Sequence, residues 1–506
     1  MSSNGTNGNT SSEASRLKDP SLFSTKIVIG SQRLDSHSGK TFDVVYPGDR
    51  KVIVATIPEC NTQDVNDAVS SCLSTFKEFS QTTARQRSDL LRKLNDLTLA
   101  NIDDLATLIV RENGKTRAEA EAEVKYAASF LSWFANMAEV GCQGETIAAA
   151  NPSMRIQTIR QPIGVVACLL PWNLPLAMAT RKIGPALAAG CTCIVKPAGE
   201  TPLSTLAFAE LVKRAGYPDG CVNVVTTLDN VAEVGKAICE HKHVRKVSLT
   251  GSTRVGKLIA QQSASTLKKL SMELGGNSPV IVMNDATIDK AITGVLLAKL
   301  RTSGQTCVAA NRILVQSGIH DKFLEALKEK IKTYKQGDGE DSSTMLGPLI
   351  TDRAVEKCRA HVADALEKGA ELYYGPQPPS SFPDEGGFFY PPTILTGLSD
   401  DMQIATEETF GPVAAIRKFE TEEEALEIAN NSDVGLGAYV YTNDLRVAAR
   451  MSAGIETGMI GINTGMLSAC EAPFGGVKES GYGKEGSIHG MAEYQIMKSI
   501  TTDVSG

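Results

Sequence analysis

Apolar positions change their period twice along this chain, and each change marks a different kind of element. Between residues 64 and 79, Val65, Ala68, Val69, Cys72 and Phe76 recur three and four positions apart, and from 88 to 110 the stripe continues through Leu90, Leu91, Leu94, Leu97 and Leu99. That spacing gathers apolar side chains on one face of a helix, so the first 140 residues are expected to carry several amphipathic helices. Trp133 and Phe134, within 127–138, read as helix packing, with an aromatic ligand cage as the alternative. Near Ile163 the texture shifts. Short β-branched or apolar runs at 164–170, 191–195, 222–226, 247–250 and 279–283 now alternate with helical stretches. Strands separated by helices predict an α/β fold, a parallel sheet with right-handed crossovers whose ligands lie beyond the carboxyl ends of its strands. After Glu273 a second set of helices and strands, from 288 to 335 and onward to 410, predicts a separate α/β domain.

Composition narrows the class. The chain has 506 residues, 42% of them hydrophobic, enough for two or three domains with large cores. A formal charge of −7 offers no basic stripe for nucleic acid or for an anionic membrane surface. No stretch approaches the roughly 20 apolar residues of a membrane span. Eleven cysteines without dense regular spacing fit a reducing compartment, and a cytoplasmic location is expected. Cys191 and Cys193 read as buried strand residues, not metal ligands, so no metal is expected. Residues 1–20 are rich in Ser, Asn, Thr and Gly, and are expected to form a disordered tail because they bury too little apolar area to offset the entropy of ordering.

The chemistry centres on residues 301–312. Cys307 stands there among small and polar residues, just before the apolar run Ile313, Leu314, Val315, as a thiol that is presented. Upstream, Glu273 is followed by Leu274, Gly275 and Gly276, where two glycines leave room for a backbone or ligand to pass closely. A thiol of ordinary pKa, about 8.5, is mostly protonated at neutral pH, so a carboxylate that takes its proton is its natural partner. Three strand ends add candidates. Trp172 and Asn173 lie between Pro171 and Pro175, where the Asn173 amide serves either as an oxyanion donor or as a turn cap. Lys196, followed by Gly199 and Glu200, offers a cation for ribose or phosphate. Gly251, Ser252 and Gly256 form a glycine turn into a helix whose amides suit a pyrophosphate, although neither GxGxxG nor the P-loop pattern is satisfied. Further on, Glu408 stands two residues before Phe410, and residues 473–481 are glycine-rich.

Together these stretches, at least six motifs in order, resemble the aldehyde dehydrogenase superfamily over nearly the whole chain after residue 20. The resemblance implies a Rossmann-like cofactor domain over 21–143 and 163–273 with part of 464–485, a catalytic α/β domain over 274–463, and a small oligomerisation arm from 144–162 and 486–506. It implies that Cys307 attacks the aldehyde carbonyl, that Asn173 and the Cys307 backbone amide hold the oxyanion, and that Glu273 activates water to hydrolyse the thioester. Lys196 and Glu408 match positions that hold ribose hydroxyls, Ser252 matches a pyrophosphate contact, and Phe410 borders the nicotinamide. In many NAD-preferring relatives a glutamate occupies the position of Gly199 and repels a 2′-phosphate; glycine here removes that repulsion, so NADP is expected to be accepted, and NAD as well.

Two arginines address the substrate. Arg181 follows Asn173 by eight residues and Arg301 precedes Cys307 by six. Each taken alone reads as a surface ion pair, yet with Ser468 they match the carboxylate-binding set of the succinate-semialdehyde dehydrogenase branch. Two guanidinium forks, at roughly 1.5–3 kcal/mol for each charged hydrogen bond, would favour a carboxylate-bearing aldehyde by about 10²–10⁴-fold. Glutarate semialdehyde, a neutral aldehyde, acyl transfer to CoA and a non-catalytic crystallin-like protein are the rival readings. Some members of the branch carry a second cysteine two residues after the nucleophile; this chain has Ala309, so a disulfide switch of that type is not expected. Cys470, near Ser468, is expected to be a pocket-wall thiol. A homodimer or a dimer of dimers is expected, through segments 145–161 and 494–501.

Overall fold

A computed structural model describes residues 12–378 and 386–505. Capping boxes start three of the N-terminal helices: Asn61 with Asp64 opens Thr62–Phe79, Thr83 with Gln86 opens Ala84–Ala100, and Thr116 with Glu119 opens Arg117–Val140. The single stripe expected over 88–110 is two helices, Ala84–Ala100 and Ile102–Asn113, broken at Asn101, which leaves helical geometry at φ −109° and ψ 26°. Phe134 is buried in the core under Arg117–Val140 and Trp133 packs beside it, as helix packing requires. The same region also holds short strands that periodicity did not reveal. Ile27–Ile29 and Gln32–Leu34 are each too short to show an alternation, and Thr41–Val45 pairs antiparallel with Ile53–Pro58.

The disordered tail expected over residues 1–20 lies outside the described residues up to residue 11. Residues 12–20 correct that expectation, because charge and an apolar contact anchor them. Glu13 is buried in a two-point ion pair with Arg111 at 2.7 and 3.0 Å, Leu17 is buried, and Asp19 caps the turn Pro20–Leu22.

Five parallel strands form the centre of the first sheet, in the order Val222–Val224, Thr192–Lys196, Val165–Leu169, Val244–Thr250, Lys269–Glu273. Numbered along the chain this is 3-2-1-4-5, a doubly wound order whose switch point falls between Val165–Leu169 and Val244–Thr250. The direction in which successive strands are added reverses about that gap. The residues emerging there are Pro171, Trp172 and Asn173 on one side and Gly251 and Ser252 on the other. Pro279–Val282 does not extend this sheet: Gly481–Tyr482 pairs antiparallel with Lys269–Glu273 and closes the edge. It joins a second, seven-stranded sheet ordered Glu371–Tyr374, Thr393–Thr396, Val413–Phe419, Arg312–Gln316, Pro279–Val282, Gly437–Tyr441, Met459–Ile462. A third sheet pairs Gln495–Asp503 with Met154–Pro162 over nine residues and adds Thr146–Ile147. Among the described residues no helix is long and apolar enough to cross a membrane.

Candidate active site

Cys307 follows a strained turn. Thr302 and Ser303 hold φ +52° and +53°, and Gly304 follows at +78°. Left-handed geometry at two residues with a Cβ costs on the order of 1–3 kcal/mol each and persists only where neighbours fix it. Here they do. Glu119 accepts from the Thr302 amide at 2.6 Å, the Ser303 hydroxyl donates to the Gly347 carbonyl at 2.7 Å, and the Gln305 side chain accepts from the Ile350 amide at 3.0 Å. A Cβ on Gly304 would fall 2.3 Å from the Gly411 carbonyl oxygen, so only glycine fits that approach. The stretch ends on Arg312, which is structural: its buried guanidinium donates to the carbonyls of Asn277, Ile428 and Ala429.

Asn173 arrives from the other sheet. Lys115 donates to its carbonyl at 2.7 Å and pairs with Glu123, which in turn accepts the Leu176 and Ala177 amides at the start of Pro175–Ala189. Its Nδ2 donates to the Gln305 carbonyl at 3.0 Å. A primary amide carries a second N–H, which remains for an oxyanion.

Glu273 ends its strand in register with Thr250. One carboxylate oxygen sits 3.2 Å from Arg181 Nη2, and the other is buried without a hydrogen-bond partner among the described residues. The room expected from its glycines is used by the backbone of Cys307: a Cβ on Gly276 would meet the Cys307 carbonyl oxygen at 2.5 Å. Burial, and then the charge of Glu273 beside it, hold the Cys307 thiol well above the ordinary cysteine range, while Arg181 opposes them. Because the raised pKa keeps the group protonated at neutral pH, its thiolate fraction grows with each pH unit below that pKa. Alkylation of Cys307 by iodoacetamide, followed by peptide mapping, is accordingly expected to accelerate about 10-fold per pH unit from about pH 7 to about pH 9. A plateau below about pH 8 would contradict this electrostatic picture.

Two cavities meet at this thiol. One, about 630 Å³, is lined by Pro171, Trp172, Glu200, Gly251, Ser252, Glu273, Leu274, Glu408 and Phe410. The other, about 500 Å³, is lined by Tyr126, Arg181, Arg301, Met466, Ser468 and Phe474 among others. Asn173, Thr250 and Cys307 belong to both. The first has the features of a dinucleotide cleft. Ser252 caps the eleven-residue helix Thr253–Ser263, whose N-terminus opens into it. Phe410, held at φ +57°, sets its ring edge-on to Trp172 at 5.4 Å. Glu408 accepts the Gly276 amide at 3.3 Å, and burial pushes its carboxyl up to about 8.

Three of the expected cofactor residues stand one layer back from that cleft. Lys196 is half-buried at its strand end, its ammonium lowered by burial and countered by Glu200 and Glu59. Gly256 lies under Leu274, which a Cβ would meet at 2.5 Å, and Gly199 lies under Leu228, which a Cβ would meet at 2.7 Å. Gly199 is thus required by close packing, and the acid one position later, Glu200, faces the cleft.

Arg181, Arg301 and Ser468 all line the second cavity, but they are not equivalent. Arg301 makes no ion pair among the described residues, and its guanidinium lies 3.2 Å from the Met466 sulfur. Arg181 is already engaged, 3.2 Å from Glu273 and 2.6 Å from Glu485, with Phe474 over its face at 4.2 Å. The sequence missed Tyr126, Phe474, Thr250, Lys182 and Glu485. Two adjacent cations in the apolar helix Pro175–Ala189 were a signal that buried carboxylates must exist. Which carboxylates these are could not be read, since Glu485 lies 303 residues beyond Lys182. Cys470 is not on this wall; it is half-buried against the first domain's core with its thiol 3.1 Å from Glu471. Among the described residues no group of three His, Cys, Asp or Glu is placed to hold a metal.

Comparison with known proteins agrees with this geometry. The chain is 45% identical to a succinate semialdehyde dehydrogenase of Acinetobacter baylyi, covering 95% of this chain and 98% of that protein. It is 44% identical to succinate-semialdehyde dehydrogenase [NADP(+)] 1 of Schizosaccharomyces pombe, over 97% and 99% of the two. The crystal structure of succinate-semialdehyde dehydrogenase from Burkholderia pseudomallei superimposes with a TM-score of 0.93 at 43% identity, over 96% of this chain and all of that one. The sequence profile of the aldehyde dehydrogenase family matches residues 34–500, and with a thiol between two cavities, a carboxylate beside it and an amide across from it, this chain belongs to the aldehyde dehydrogenase family.

Proposed function

We propose that this protein oxidises succinate semialdehyde to succinate, with NADP and also NAD as the acceptor, through a thiohemiacetal and then a thioester on Cys307. The observation that carries the substrate is Arg301. A guanidinium without an ion-pair partner among the described residues, on the wall of the cavity that ends at Cys307, favours an aldehyde whose far end is a carboxylate.

In the first step Cys307 Sγ adds to the aldehyde carbon as Glu273 takes the thiol proton. The new oxyanion is held by the free N–H of Asn173 and the Cys307 amide. A dinucleotide held in the larger cleft would supply the hydride acceptor for that carbon. Glu273 gives the thiol proton up to solvent and, again a carboxylate, removes a proton from water; the oxygen attacks the thioester, and the Cys307 thiolate departs as succinate is released. The dinucleotide fits the larger cleft, where the helix Thr253–Ser263 would face its phosphates, Glu408 its nicotinamide ribose, and Phe410 with Trp172 its ring. Gly199, locked under Leu228, supports acceptance of a 2′-phosphate, and Glu200 at the cleft edge supports retained use of NAD. Ser468 is assigned to the substrate carboxylate, and Lys196 is assigned to the ribose through movement of its side chain. A homo-oligomer assembled through the third sheet is supported by exposed Ile147, Ile159, Ile496, Met497 and Ile500 along it. A cytoplasmic location is supported by eleven free thiols.

The test is kcat/KM for succinate semialdehyde against butanal, with each dinucleotide. Arg301 alone supplies about 10–10²-fold in favour of the acid, at about 1.5–3 kcal/mol for one charged hydrogen bond, and Arg181 adds to it only by giving up Glu273. Equal efficiencies would remove the carboxylate clamp, and a strong preference for NAD would remove the reading of Gly199.

A further inference from the structure

Arg181 touches both the cavity that takes the substrate's tail and the carboxylate that acts as base. We propose that the substrate's own carboxylate frees the base: on reaching Arg181 it displaces Glu273, so that an acidic aldehyde activates its own thioester hydrolysis and a neutral aldehyde does not. This rests on the carboxylate-tail reading above.

The two carboxylates on Arg181 differ in how firmly they are held. Glu485 is fixed from several sides: Lys182 donates to it from the same helix as Arg181, the Ser248 hydroxyl lies 3.3 Å away, and Arg181 Nε is at 2.6 Å. Lys182 itself is tied to Thr250 at 2.7 Å. Glu273 has Arg181 on one oxygen and no hydrogen-bond partner on the other among the described residues. Phe474 covers one face of the guanidinium, so a carboxylate joins it in its plane, and both of its two-point edges include Nη2, the nitrogen that Glu273 now holds. Glu273 is therefore the exchangeable partner.

Charge balance gives the exchange its consequence. Arg181 and Lys182 balance Glu273 and Glu485, so the buried cluster is neutral. A third carboxylate leaves one negative charge in excess beside four charged side chains that are themselves buried. A proton on Glu273 removes that excess, and the proton source is the water that attacks the thioester. In the freed state one O–H bond of water breaks, its proton passes to Glu273, the oxygen bonds to the acyl carbon, and the C–S bond breaks with its electron pair returning to Cys307. The Glu273 proton then passes to the thiolate, which restores the resting site.

The idea is tested by supplying the tail separately. p-Nitrophenyl acetate acetylates Cys307, and added acetate then provides the remaining atoms of a succinyl group with one C–C bond absent. With the full-length wild-type enzyme, the burst of nitrophenol reads acylation and the steady rate reads loss of the acetyl group. Acetate is expected to raise the steady rate about 10-fold and saturably, as one charged hydrogen bond is exchanged for another, while chloride at equal ionic strength leaves it unchanged. In Arg181→Gln, where Glu273 is free at all times, the response to acetate is expected to vanish. A wild-type steady rate that acetate leaves unchanged or lowers overturns the proposal, as does an acetate response that persists in folded Arg181→Gln. The wild-type measurement decides the matter even if that variant does not fold. Failure here is distinct from failure of the substrate reading: an enzyme that prefers succinate semialdehyde to butanal yet ignores acetate has the clamp without the release.

Discussion

Cys307→Ala is expected to lower kcat/KM for succinate semialdehyde by about 10⁴–10⁶-fold, the scale seen when a covalent nucleophile is removed from a site whose other parts remain. Structure predicts that the loss is chemical. The thiol is half-buried at the junction of two cavities, and the turn that presents it is fixed by Glu119, Gly347 and Ile350 through residues 302–305, none of which bonds to the sulfur. Alanine fills the same backbone position, so the melting temperature and dinucleotide binding by fluorescence titration are expected to stay close to wild type. Residual turnover within about 10²-fold of wild type would mean that Cys307 is not the nucleophile.

Glu273→Gln is expected to separate the two halves of the reaction. An amide keeps the shape of the side chain but cannot accept a proton from water, and loss of a general base costs about 10²–10⁴-fold in the step that needs it. Hydrolysis of the thioester should slow by that factor and become rate-limiting. Rapid mixing should then show a burst of reduced dinucleotide near one equivalent per subunit, followed by a slow steady phase, and mass spectrometry should find Cys307 carrying a succinyl group. Acylation should suffer less, because the substitution also removes the negative charge that raises the thiol's pKa. An absent burst with an unmodified thiol would place Glu273's main role before the thioester, in the attack itself.

Much of the candidate site was legible in the residues that meet at the junction of the two cavities. Cys307, Glu273 and Asn173 each lie in a short segment whose local pattern is unlike a core: small polar neighbours, a glycine pair, a proline-bounded turn. Those patterns exist because chemistry needs exposed atoms and close backbone approach, and both leave local traces; the Gly276 contact with the Cys307 carbonyl is one such trace. The strand that leads into Asn173, Val165–Leu169, was legible because a buried parallel strand is a continuous apolar run, whereas Lys269–Glu273, with Lys, Ser and Glu in it, left no such mark. Strands of three residues, such as Ile27–Ile29, left no period to read. Residues 12–20 were misread because their composition is that of a free tail, whereas one buried ion pair to Arg111 and one buried leucine hold them.

The sequence by itself determined the order of elements, the three residues proposed as nucleophile, base and oxyanion donor, and the two arginines that stand near them in the chain. Each of these is fixed by neighbours within a few positions. Tertiary structure alone decided what the arginines do. Arg181 and Arg301 look alike in sequence, each a guanidinium at a set distance from a candidate site residue, yet among the described residues folding gives Arg301 no carboxylate and gives Arg181 two, one of them from a segment 304 residues away (485 − 181 = 304). Only tertiary structure moved Gly199 from a cofactor contact to a packing requirement beneath Leu228, and only it separated Pro279–Val282 from the first sheet. The reason is common to all three: a charge or a close contact is satisfied by whatever the fold brings within a few ångströms, and chain separation carries no record of that distance.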